Sequence, residues 1–158
     1  MRAVDTNVLA RYYLADDPIQ SRVAARVLEA GEIFVPKTVM LELAWVLESV
    51  AQQPSQKVRD CLSHLIALPG ITVEDQDEVQ GAIRLYELGI DFADALHLCA
   101  SSACSELLTF DDRGFIRRAA RLGLETRVEK PVVVEPPGPP QARERKGAYR
   151  SSKRSRYR

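Results

Sequence analysis

Residues 1–130 predict an α/β sandwich around a mainly parallel sheet. Five short apolar runs carry the strands: RAV at 2–4, IFVP at 33–36, ITV at 71–73, ELLTF at 106–110 and LETRV at 124–128. Between them lie longer stretches of helical periodicity punctuated by Asp, Pro and Gly. Strands that alternate with helices are joined by crossovers, and crossovers give parallel pairing with helices packed over the sheet.

Taken in order, RAV stops at Asp5, and Asn7 is positioned to cap a helix over VLARYYLA. Asp17-Pro18 opens a second helix running to Ala30, with proline suited to its first turn and Gly31 to its end. Pro36 closes the IFV strand, and Thr38 precedes a long helix to about Gln52. At about 100° per residue, Val39, Leu43, Val46 and Val50 form the apolar stripe of that helix, and Trp45 reads as a core residue. Pro54-Ser55 begins another helix ending near Pro69-Gly70. Asp75 or Asp77 caps the next, which ends at Gly89. Residues 92–104 read as helix, with Leu96, Cys99, Ala100 and Ala103 inward and Asp94, His97 and Ser101 on the polar line. Residues 112–122 are helical again before the last strand, Cys104 joins Cys99 as a packing residue, and no internal repeat is visible.

Composition narrows the chemistry. The length of 158 residues suits one domain, and 46 % apolar content is ordinary for a globular protein. The opening MRAVDTNVLA carries no long apolar run, so a cytoplasmic protein without a membrane span is expected. Cys61, Cys99 and Cys104 are odd in number and lack CxxC spacing, which fits a reduced compartment. With His64 and His97 the only histidines, any bound metal is expected to be a hard cation held by carboxylates. The net charge of zero hides a split: residues 131–158 hold 8 Lys/Arg and 2 Asp/Glu, +6, leaving 14 and 20, −6, for residues 1–130. The segment 131–158 is proline-rich and then basic, and disorder is its expected state. Its basic residues either contact an anionic partner or are an extension without a role.

Four acids recur where a parallel sandwich gathers ligands, beyond the carboxyl ends of its strands or on helix edges. Asp5 follows the first strand and Asp111 follows LLTF, although each alone is equally a turn residue or helix cap. Glu42 borders the apolar stripe of its helix, where an unpaired charge is costly to bury. Asp94 opens a helix whose N-terminus favours negative charge on its own account. Carboxylates crowded together repel, and protonation or a divalent cation relieves the repulsion. Oxygen-only ligation suits Mg²⁺ or Mn²⁺.

The motifs VDTNVL, TVMLELAWVL, DFADALHL and LLTFDDRGF resemble PIN domains, and more narrowly VapC-type toxins of type II toxin–antitoxin pairs, over about residues 1–130. The resemblance implies a three-layer α/β/α sandwich with a central, mainly parallel sheet and a Mg²⁺- or Mn²⁺-dependent endoribonuclease. It places the catalytic, metal-binding acids at Asp5, Glu42, Asp94 and Asp111, with Asp112 the alternative for the fourth. Asp91 is an accessory ligand or a helix cap, Asn7 and Thr109 orient ligands or the scissile phosphate, and His97 is a structural or supporting histidine. The implied partners are RNA, a second copy in a homodimer, and a VapB-like antitoxin whose C-terminal segment lies across the acids. Two rivals stand beside this reading: another acid-cluster phosphoryl-transfer enzyme, and a non-catalytic RNA- or protein-binding PIN module.

Overall fold

Strand and helix alternate through residues 1–132, the part of the chain that the computed structural model describes. The disorder expected for the tail therefore falls, from residue 133 onward, outside the described residues. The elements are β1 (Arg2–Ala3), α1 (Thr6–Leu14), α2 (Pro18–Glu29), β2 (Ile33–Val35), α3 (Lys37–Trp45), α4 (Ser55–Ala67), β3 (Ile71–Val73), α5 (Gln76–Glu87), α6 (Phe92–Ala100), β4 (Glu106–Leu108), α7 (Phe115–Leu122) and β5 (Arg127–Glu129). A π-helical turn, Val46–Val50, extends α3.

Every strand pair is parallel, as the alternation requires. The order is β1-β2-β3, with Arg2 opposite Ile33 and Ile33 opposite Ile71, while β4 pairs with β5 through Glu106 and Arg127. The hydrogen-bonded ladder thus comes in two parallel pieces within a three-layer α/β arrangement. The central strand β2 buries Ile33 and Val35 completely, and Leu9, Met40, Leu43, Leu62 and Val79 close the core around it. Where β2 and β3 are entered, Gly70 sits at φ +76°, and a Cβ there would lie 2.9 Å from the Cα of Gly31. Only glycine satisfies both the left-handed backbone and that approach.

Local chemistry moves several boundaries. Asp5, not Asn7, caps α1: its extended backbone lets the carboxylate accept from the N–H of Val8, so the helix starts at Thr6. Asp17 caps α2 through the N–H groups of Ile19 and Gln20, with Pro18 in the first turn as expected. Asp75 precedes α5 but makes no side-chain cap; its carboxylate instead meets Lys37 Nζ at 2.7 Å, beside Glu78 at 2.6 Å. Helix α6 ends at Ala100, so Cys104 is exposed rather than packed, whereas Cys99 packs against the core.

The apolar stripe of α3 is also corrected. The buried set is Met40, Leu43, Ala44 and Leu47, a complete i, i+3, i+4, i+7 series, while Val39 and Val46 are half-buried. Trp45, about 200° from Leu43 around the helix axis, is 59 % exposed, and Val50 lies outside as well. Among the described residues, no helix is long and apolar enough to cross a membrane.

Leu43→Ala is expected to cost about 2–5 kcal/mol, because it opens a cavity in a filled core. Trp45→Ala should change stability by less than about 0.5 kcal/mol. Urea unfolding of the two variants checks this; equal losses would contradict the orientation of α3.

Candidate active site

The loop after β4 shows how backbone donors place an acid. The N–H of Thr109 donates to the Glu129 carbonyl at 2.9 Å, carrying the β4–β5 pairing one residue further. Thr109 Oγ1 then accepts from the N–H of Asp111 at 3.2 Å. The Asp111 carboxylate accepts from the N–H of Gly114 at 2.8 Å with Oδ1, and from the N–H of Phe115 at 3.0 Å with Oδ2. These bonds consume the donors that open α7, which is why the helix starts at Phe115 rather than at residue 112. They also hold the Asp111 carboxyl below its ordinary pKa, the Gly114 bond foremost. Gly114 is tied to this arrangement, since a Cβ there would sit 2.5 Å from Asp111 Oδ2.

Asp91 is a cap of the same kind. Its Oδ1 accepts from the N–H of Ala93 at 2.9 Å and of Asp94 at 3.3 Å at the start of α6. Asp94 lies in the first turn of that helix and is half-buried. Burial raises its pKa first, and the charges of Asp91 and then Asp111 raise it further, against opposing contributions from His97 and Arg118. Asp91, Asp94 and Asp111 line one cavity of about 210 Å³ together with Gly114, Phe115 and Arg118. The Arg118 guanidinium reaches across α7 to donate to the Gly89 carbonyl, ahead of the Asp91 cap.

A second pair of acids sits at the end of β1. Thr6, only 5 % exposed, donates from Oγ1 to Glu42 Oε2 at 2.5 Å, one residue beyond Asp5. Helix α3, which carries Glu42, packs against both α1 and α6, the helices that Asp5 and Asp91 cap. Asp5 and Glu42 do not line the cavity that holds Asp91, Asp94 and Asp111. Among the described residues, no three Asp, Glu, His or Cys side chains are already gathered as a metal cage.

The family model of the PIN domain matches residues 2–122. The chain belongs to the PIN-domain family. No curated protein matches it. PIN domains are generally nucleases and often depend on divalent metal ions. The donors fit such an ion by chemistry: all are carboxylate oxygens, and Asp94, raised first by burial and then by the charges of Asp91 and Asp111, is a carboxylate that a nearby cation would favour in its charged form. Each capping acid also keeps lone pairs that its N–H donors do not use.

Of the acids expected in this PIN domain, Asp94 and Asp111 share the cavity, and Asp91 combines the cap with a place in its wall. Asp112 is turned to Lys130 at 3.7 Å and is not part of the lining. Thr109 orients the Asp111 backbone. Asn7 is exposed and lines a groove between α1 and α2 instead of the acid cavity. His97 is exposed, and its influence on Asp94 is electrostatic. Three residues were not foreseen: Arg118, Gly114 and Thr6. A threonine directly after the first acid, at the start of a helix that has to be buried, was the available signal for Thr6.

Because Asp111 titrates lower in the folded chain than its unfolded value near 4, it stabilises the fold above that pH and stops doing so as pH falls through its folded pKa. Asp111→Ala should therefore lower Tm by about 2–4 °C at pH 7 in chelator. The gap from wild type should narrow as pH falls below the ordinary carboxylate range and through the lowered pKa of Asp111; a gap independent of pH would show that the charge contributes nothing.

Proposed function

We propose that this PIN domain is a Mg²⁺- or Mn²⁺-dependent endoribonuclease and the toxin of a type II toxin–antitoxin pair. The observation that carries the reading is the cavity in which half-buried Asp94 faces Asp91, Asp111 and Arg118. Asp5, Glu42, Asp94 and Asp111 are assigned as the metal-binding and catalytic acids, with Asp91 accessory. A divalent cation held there supplies charge neutralisation and makes water a better nucleophile near neutral pH.

The chain's own groups do the remainder. Asp94 caps no helix N–H and lines the cavity beside Asp91 and Asp111, so it is the carboxylate placed to accept a hydrogen bond from the attacking water and take its proton. Arg118 offsets negative charge on the phosphate as it enters the cavity. Thr109 and the N–H groups of Gly114 and Phe115 hold Asp111 in place throughout. The water oxygen bonds to phosphorus in line with the departing O3′, the P–O3′ bond breaks, O3′ takes up a proton from solvent water, and the products are a 3′-hydroxyl and a 5′-phosphate.

The acid cavity on a domain of net charge −6 suits a VapB-like antitoxin that directs a basic side chain into it, and a homodimer completes the assembly. A non-catalytic binding module is the second reading, favoured only by the separation of Asp5 and Glu42 from the cavity lining.

RNA cleavage by wild type, Asp5→Asn and Asp94→Asn, each with Mg²⁺, Mn²⁺ and chelator, separates the two. Both variants should lose at least about 100-fold in rate, and chelator should abolish wild-type cleavage. Cleavage unchanged in both variants would remove the acid mechanism.

A further inference from the structure

Phe110 is 76 % exposed and directly precedes Asp111, which lines the acid cavity. The backbone beneath it is fixed on both sides. The N–H of Thr109 is bonded to Glu129, the N–H of Asp111 to Thr109 Oγ1, and the N–H of Asp112 to the Phe110 carbonyl at 3.0 Å. An aromatic ring on so constrained a stem, open to solvent, is preorganised to receive a flat partner at little entropic cost.

The charge beside it points to the nature of that partner. Residues 113–121 carry four arginines and no acid, in a domain whose net charge is −6. All four, Arg113, Arg117, Arg118 and Arg121, are exposed. Among the described residues, Arg113, Arg117 and Arg121 form no ion pair. At about 100° per residue, Arg121 lies within about 60° of Arg118 and one turn further along α7, so the positive stripe leads out of the cavity.

We propose that Phe110, Arg113 and Arg121 form a single-strand RNA subsite adjoining the acids. Phe110 stacks on one unpaired base and the two arginines contact neighbouring phosphates. This rests on the ribonuclease reading and narrows it: the face of a base is open to an aromatic ring only where the strand is unpaired, so the preferred substrate is single-stranded at that nucleotide.

The test uses the full 158-residue chain carrying Asp94→Asn, and a fluorescein-labelled oligoadenylate of about 12 nucleotides, single-stranded or annealed to its complement, read by anisotropy. Adding Phe110→Ala should weaken single-strand binding about tenfold, Phe110→Trp should restore it, and the duplex should not respond. Arg121→Gln should reduce the slope of log affinity against log salt by about 0.7. Because Phe110 is exposed, unchanged Tm in its variants verifies folding. Affinity unchanged by Phe110→Ala, or an equal loss on strand and duplex, would overturn the subsite and leave the ring as a surface for a protein. Wild-type cleavage of the same oligonucleotide is scored separately. Absent cleavage with Phe110-dependent binding would count against the nuclease reading alone, and cleavage without Phe110 dependence would count against the subsite alone.

Discussion

Backbone N–H groups at helix starts hold the acids of this domain in place. Asp5 takes the N–H of Val8, Asp91 those of Ala93 and Asp94, and Asp111 those of Gly114 and Phe115. A helix leaves its first N–H groups without internal partners, so a carboxylate placed there satisfies them and is favoured by the helix dipole. The same contacts that terminate the helices therefore position the site. Asp94 is the exception: it sits inside a first turn, half-buried, accepting from none of the backbone N–H groups around it and with two like charges acting on it. The acids are therefore split between three that cap helices and one that burial and like charge raise in proton affinity.

The distance between the two groups of acids is set by packing rather than by hydrogen bonds. Met40, Leu43, Ala44 and Leu47 seat α3 in the core, and α3 meets both α1 and α6. Thr6 then ties Glu42 on α3 to the start of α1. Strand β1 is only two residues long, yet it fixes Asp5, because Val4 is buried and its N–H continues the ladder to the Phe34 carbonyl at 3.2 Å. Glu42 thus keeps its place through the seat of α3 in the core, and Asp5 keeps its place through the sheet.

The alternation of strands and helices was legible because each element is short and bounded by strong punctuation, as at Asp17-Pro18, Gly31 and Pro54-Ser55. That Asp94 and Asp111 stand at element boundaries was legible for a related reason, since such a carboxylate has a local cause; that the two share a cavity was not, because it depends on how the two segments pack. Trp45 and the stripe of α3 were misread because two apolar series overlap on that helix, and only the neighbours that fill the core decide between them. Thr6 depends on a partner 36 residues away, and Arg118 on a cavity built from two separate segments. In a sequence such as FIRRAARL, an arginine that enters a site looks the same as one that faces water.

Local charge also resolves a conflict that net charge creates. A domain of −6 with an acid cavity should repel a polyanion at long range, and over a Debye length of about 8 Å at physiological salt that repulsion is screened. What remains is the field close to the surface, where the arginines of α7 outnumber the acids of their own segment. Arg118 carries that positive edge into the cavity wall, beside Asp94 and Asp111. In the proposed subsite, a strand lying along α7 would meet favourable charge first and the acids last. A phosphate would then reach the acids with its neighbours already held, so that orientation, rather than bulk attraction, would be the basis of recognition.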